Sequence, residues 1–266
     1  MVVVLLSLIV LALMAVFNST QAAFRASVTQ SGVLEGSRAA MDLIAADLRE
    51  MSPANSVSNG AVNFYAAVMP GATPLVQPLV ASGQSRTNVL ESIFVLSRDN
   101  TTWTGVGYVV NYTSSSPLYP LYRFAMSTNV AFDPRSLFYN FTNAVSTAAW
   151  TNMSHLLDGV VSLTARAYDD RGFWLTNGYA SGTNLTVKNT TFAARAGEVG
   201  VVMYSNTLPA SVEVAMGVLE DRALQRAESL SGSFVAQSNY LAQQAGKVHL
   251  FRQRVAIPNV DPSAYR

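Results

Sequence analysis

Cysteine is absent from the 266 residues, which excludes disulfide frameworks, thiolate metal sites and cysteine nucleophiles together. Charge is scarce too: Asp, Glu, Lys and Arg make up 12% of the chain and the formal net charge is +1. Lysine occurs only as Lys188 and Lys247. Phosphate neutralisation needs clustered basic side chains, so nucleic acid is not an expected partner. Histidine is as rare, and His155 and His249 stand far apart without an acidic cluster nearby. They read as structural or exposed side chains, and no zinc site is expected.

Catalytic signatures are missing as well. There is no GxSxG, no P-loop and no dinucleotide fingerprint. The glycines at Gly105 and Gly107 lack the third glycine and the following helix, and read as part of a strand. Asp169 and Asp170 fall in an expected turn, where Asp bonds nearby backbone, and the spaced oxygen ligands of a calcium loop are not there. Glu213 reads as a strand residue, and Glu220 with Asp221 as a helix start. No catalysis, cofactor, metal or small-molecule substrate is expected.

What the chain does have is apolar length at its beginning. Half of all residues are hydrophobic, and twelve of the sixteen from Val2 to Phe17 are Val, Leu, Ile or Phe. The first charged side chain is Arg25. A sixteen-residue helix reaches about 24 Å against about 30 Å of bilayer hydrocarbon, short for a complete crossing. With no charge to oppose it, the segment still favours lipid or a like partner. Three readings compete: a cleaved signal peptide with small residues at Ala22 and Ala23, a buried core helix, or a membrane helix whose beginning has been lost. The first lacks a basic n-region. The second is rare outside a very large core.

The stretch that follows narrows the choice. In GVLEGSRAAMDLIAADLREM, Leu34, Met41, Ile44, Ala45, Leu48 and Met51 recur at steps of three and four, with Glu35, Arg38, Asp42, Arg49 and Glu50 on other faces. Ser52-Pro53 ends the pattern. No proline precedes Ser52, and Gly32 and Gly36 are the only glycines. One rod of about fifty residues is expected, roughly 75 Å at 1.5 Å per residue.

An apolar helix running into an amphipathic one, then SRAAMDLIAADLREM, then a strand-rich remainder, resembles the type IV pilin-like proteins. The SRxAMDxIAxDLR stretch is closest to W-type minor pilins and J-type pseudopilins of type II secretion, and LPASVEVAM resembles their late strand. The resemblance implies a helix that packs into a filament core with its amphipathic half on a sheet. It further implies assembly residues Val2, Leu5, Leu6, Leu8, Ile9, Leu11, Leu13, Val16 and Phe17, and helix-to-head packing by Leu34, Met41, Ile44, Leu48 and Met51. The family's leader, its cleavage site and the glutamate early in its helix are not in this chain, which implies that Met1 is an internal methionine.

After residue 54 short apolar runs alternate with Gly, Pro, Asn and Ser. Strands are expected at 61–69, 91–98, 105–113, 121–126, within 159–174 where the strand leads into a hairpin, at 198–204 and at 211–219, the last two as neighbours. A turn is expected at Asp169–Gly172, helical spacing at 220–246, and a final extended piece in VHLFRQRVAIP. Residues 70–88 read as a surface loop. The aromatic residues concentrated between Trp103 and Phe141 read as core or cross-strand pairs.

The expected fold is therefore α+β: a long pilin-like helix packed on an antiparallel β-sheet head, with a helix near the C-terminus. Residues 1–17 form the membrane or filament-core half of the helix, 18–52 the amphipathic half and 53–266 the head. The expected role is that of a minor structural subunit of a type IV pilus or type II secretion filament. Its partners would be other pilin-like subunits and the membrane, and its place the bacterial inner membrane, single-pass, with the head on the extracytoplasmic side. The alternative is a secreted or membrane-anchored glycoprotein or binding module. It draws on seven Asn-x-Ser/Thr acceptors, at Asn18, Asn100, Asn111, Asn140, Asn152, Asn184 and Asn189.

Overall fold

A computed structural model describes residues 2–54, 60–68, 75–79, 83–112, 119–176, 185–188, 198–230 and 232–261. Helix α1 runs Val2–Arg49. Its last third carries apolar side chains on one stripe, and Ala40, Met41, Ile44, Ala45 and Leu48 are all buried. Ser37 is buried on the same stripe and donates its hydroxyl to the carbonyl of Val33 at 2.6 Å, which hides the polar group inside the helix's own backbone. Pro53 cannot continue a helix, and the chain turns instead into sheet: the amide of Ser52 donates to Leu96 O at 2.9 Å.

Among the described residues twelve strands follow, all paired antiparallel. They are β1 (Val62–Val68), β2 (Leu75–Leu79), β3 (Gln84–Asn88), β4 (Glu91–Asp99), β5 (Thr102–Val110), β6 (Leu121–Asn129), β7 (Ser154–Leu157), β8 (Val160–Tyr168), β9 (Leu185–Lys188), β10 (Gly200–Tyr204), β11 (Ser211–Leu219) and β12 (Val248–Ala256). Helix α2 (Arg135–Ser146) lies between β6 and β7, and helices α3 (Asp221–Glu228) and α4 (Phe234–Ala242) lie between β11 and β12.

The expected α+β class with one sheet is overturned. The fold is predominantly β, with three sheets: a seven-stranded one ordered β7-β6-β5-β4-β1-β10-β9, a three-stranded one ordered β12-β11-β8, and the β2-β3 ribbon. The helices of the head are short, from eight to twelve residues. Two of them stand where one C-terminal helix was expected, because the helical spacing is interrupted at Leu230–Ser233. The strands β10 and β11 are not neighbours either. β10 pairs with β1 and β9, whereas β11 lies between β8 and β12. The turn at Asn206–Pro209 carries the chain from one sheet to the other, a change of layer that alternating hydrophobicity does not encode.

Packing follows from these layers. One face of the seven-stranded sheet gives Phe64, Ile93, Val95, Val106 and Tyr108 to a core shared with α1 and with Leu163, Ala165, Val214 and Met216 of the three-stranded sheet. The other face is covered by α2, where Phe94, Phe124, Leu137 and Phe141 are buried together. Ring centroids of Phe94 and Phe141 lie 5.6 Å apart in a stacked arrangement, and Phe94 meets Phe138 edge-on at 5.2 Å. α2 was not expected from the sequence, and its aromatic residues belong to a helix rather than to cross-strand pairs. The glycines of β5 make its approach possible. A Cβ on Gly107 would stand 2.3 Å from the Phe141 ring, and one on Gly105 would stand 2.9 Å from Leu137 Cβ.

Residues 70–88, expected as loop, contain the β2-β3 ribbon. Pro78 is accommodated there because the ribbon has only two strands and a proline can face its unpaired side. Gln77 and Asn88 are buried in it and bond each other at 3.0 Å.

Candidate functional site

The most unusual surface of the chain lies on α1. The described apolar side chains Val4, Leu6, Ile9, Val10, Leu11, Leu13, Met14, Val16 and Phe17 are exposed, from 49% at Ile9 to 72% at Leu11. They occupy every side of the helix rather than a stripe. One hydroxyl interrupts the run and another lies just past it, and both turn inward: Ser7 Oγ donates to Val4 O at 2.8 Å and Thr20 Oγ1 to Val16 O at 2.9 Å. A helix whose hydroxyls bond its own carbonyls needs no polar partner on its outside. Burying each large apolar side chain of this kind is worth about 1.5–3 kcal/mol. Of the expected assembly residues, Leu6, Ile9, Leu11, Leu13, Val16 and Phe17 share this surface. The side chains of Val2, Leu5 and Leu8 lie outside the described residues.

The other half of α1 is held to the head. Met41, Ile44, Leu48 and Met51 are buried, whereas Leu34 is only half-buried and Val33 takes its place against the core. Where the helix passes β7, the space at Gly36 ends 3.4 Å away on Leu157. Asp47 then fixes the register. It accepts two hydrogen bonds from Arg123 of β6, from Nε and from one terminal nitrogen, each 2.9 Å long, and a third from the Tyr108 hydroxyl of β5. Burial, and after it the Asp47 carboxylate beside it, push the Tyr108 phenol well above its usual range. The Asp47 bonds hold the Arg123 guanidinium firmly protonated. Sequence reasoning missed this triad, although Asp47 follows Ile44 by three residues and so shares its buried stripe.

A second polar group lies between the sheets. Glu91 at the start of β4 is buried, and its Oε2 accepts the amide of Ala165 of β8 at 2.7 Å. Burial pushes its carboxyl up to about 8, with only partial relief from that hydrogen bond. Nearby, Arg166 makes two hydrogen bonds to Glu198, of 2.8 and 2.6 Å, and its guanidinium lies 4.7 Å from the Trp174 ring centre. This arrangement locks β8 against its neighbours and carries no nucleophile.

The remaining sequence candidates fall apart in space. His155 of β7 meets Asp158 at 3.0 Å on the surface, and His249 of β12 stands 3.6 Å from Glu220. Among the described residues no three His, Asp or Glu side chains come close enough to share a metal ion. Asp169 caps its own turn, accepting the amides of Arg171 and Phe173 at 3.0 and 2.7 Å. Of the glycan acceptors, Asn18, Asn100 and Asn152 are exposed and Asn140 is half-buried, but Asn111 is buried and unavailable to a glycan in the folded chain. Asn184 and Asn189 lie outside the described residues.

Among the described residues no helix is long and apolar enough to cross a membrane. The sequence points the same way, since the apolar run Val2–Phe17 falls short of the bilayer's hydrocarbon thickness. Comparison of the chain with protein-family models, with characterised proteins and with solved structures finds no match.

Proposed function

We propose that the chain is a structural subunit of a pilin-like filament, a minor subunit of a type IV pilus or type II secretion assembly. It would join that assembly through the apolar half of α1. The observation that carries the reading is the division of one helix into a docked half and an exposed half apolar on all sides. A rod of this kind is stable only when surrounded, by lipid or by a bundle of similar helices. Passing from lipid to such a bundle costs little, because neither setting hydrates the side chains and no charge is moved. Assembly can then be reversible while the β head stays in water. In this reading the head lies on the extracytoplasmic side of a bacterial inner membrane, and the other pilin-like subunits are the partners.

Leu11→Glu tests it by placing a carboxylate in the middle of the exposed apolar surface. The variant is expected to keep the thermal transition of its head while failing to enter sheared filaments or to co-purify with pilin-like subunits of the same cell. Normal incorporation of the variant would overturn the reading.

A further inference from the structure

Among the described residues three arginines are half-buried: Arg86 of β3, Arg123 of β6 and Arg166 of β8. Two of them follow one rule. Arg123 is forked onto Asp47 and Arg166 onto Glu198, each through two hydrogen bonds, and in both the fork keeps the guanidinium firmly charged despite its burial. Arg86 breaks the rule. Among the described residues no carboxylate forms an ion pair with it, and burial alone acts on its guanidinium, holding it below its usual range. All sixteen Asp and Glu residues of the sequence lie among the described ones, so none is left over to supply the missing partner.

What holds Arg86 in place is neutral. One terminal nitrogen donates to Gln77 Oε1 at 2.7 Å, an oxygen that also accepts Asn88 Nδ2 at 3.0 Å. Arg86 Nε is buried and has no acceptor. Gln77 turns its own amide nitrogen to Leu241 O at the end of α4, 3.0 Å away, so the partial negative charge of that helix terminus reaches Arg86 only through an uncharged amide. The β2-β3 ribbon lies on α4 and β8, and Arg86 is the one charged residue of its two strands. A half-buried charge is costly while it stays unpaired, and an apolar residue of the same size would cost less.

We propose that Arg86 is a docking point for a carboxylate side chain of an adjoining pilin-like subunit, which completes from outside the ion pair that this chain does not make for itself. The inference rests on the filament reading above. The terminal nitrogens offer an Asp or Glu a planar fork, and because the guanidinium charge is delocalised, a carboxylate on the outer edge compensates the whole group. An arginine already held half-buried loses little rotamer freedom on pairing, and arginines of this kind carry a large share of the energy at protein interfaces. Charge selects the occupant. A neutral or basic partner surface would bury the guanidinium further and leave it still unpaired.

Arg86→Met separates docking from folding, since it keeps an unbranched side chain and leaves Gln77 Oε1 with Asn88 as donor. In full-length protein in detergent, the head of this variant is expected to melt at or above the parent's temperature, because an unpaired charge has been removed. In sheared filaments the same variant is expected at about a tenth of the parent's level or less. Arg86→Lys, which keeps the charge without the fork, should fall between the two. A melt clearly below the parent's would make Arg86 a structural residue and overturn the proposal. Parental incorporation of Arg86→Met, or a lysine variant that enters no better than the methionine one, would overturn it as well. Leu11→Glu in the same assay keeps the two claims apart: its exclusion beside normal entry of Arg86→Met sinks the docking alone, whereas its own normal entry sinks the filament reading and the docking with it.

Discussion

Asp47 on α1 and Arg123 on β6 face each other through two parallel hydrogen bonds of 2.9 Å. The pair is the point at which the helix is pinned to the seven-stranded sheet. Arg–carboxylate forks combine energy with direction, because both nitrogens must find both oxygens. Apolar packing by Ile44 and Leu48 would tolerate small slides of the helix, whereas this fork does not.

Asp47→Ala is therefore expected to lower the unfolding free energy by about 2–4 kcal/mol, since it leaves Arg123 and Tyr108 without their acceptor in a partly buried site. Tyr108→Phe should cost only about 1 kcal/mol, because the Arg123 fork survives. Urea unfolding followed by tryptophan fluorescence measures both. Equal effects from the two substitutions would contradict the central place given to Asp47.

Gly107 lets α2 reach the sheet, and a methyl group there meets the Phe141 ring at once. Gly107→Ala is expected to destabilise the head by about 1–3 kcal/mol, the usual range for overpacking a dense core. Gly32 in α1 has open space around its added Cβ, so Gly32→Ala should be neutral or stabilising by up to about 1 kcal/mol. Thermal melts of the two variants should move in opposite directions or differ by several degrees.

Glu91 gives the head a pH dependence of unusual sign. Its carboxyl titrates near 8 in the fold against 4.5 in a free chain, so between those values the folded state binds the extra proton. Stability should then fall as pH rises across that window, by at most about 1.4 kcal/mol per unit, and level off above it. Glu91→Gln keeps an acceptor for Ala165 N–H without a titrating group. It should match the parent near pH 5 and exceed it at pH 8.5, in melts recorded across that range.

Much of the fold was legible because short-range rules govern it. The stripe from Met41 to Leu48 set the docked face of α1, and β-branched runs marked β1, β4, β8, β11 and β12 within a few residues. What could not be read was pairing. Asn206–Pro209 reads as a hairpin turn yet links two sheets, and Pro78 with the glycines around it hid a ribbon inside a loop. α2 was missed because Leu137 and Phe141 gain their helix only against the bare backbone of Gly105 and Gly107, a contact between segments thirty residues apart in order of magnitude. At the candidate site the apolar side chains were visible from composition, whereas Asp47 acquires its meaning only from Arg123 and Tyr108 in space.

Single cysteines at Leu6, Ile9, Leu11, Ala12 and Met14, all exposed, probe the central claim most directly, through the rate at which each reacts with a water-soluble maleimide in intact cell envelopes. These positions sample all sides of the helix. All five should be protected relative to a cysteine at Ser136 on the head, as required of a rod enclosed by lipid or by like helices. Rapid labelling at all of them, or protection confined to one side, would contradict it.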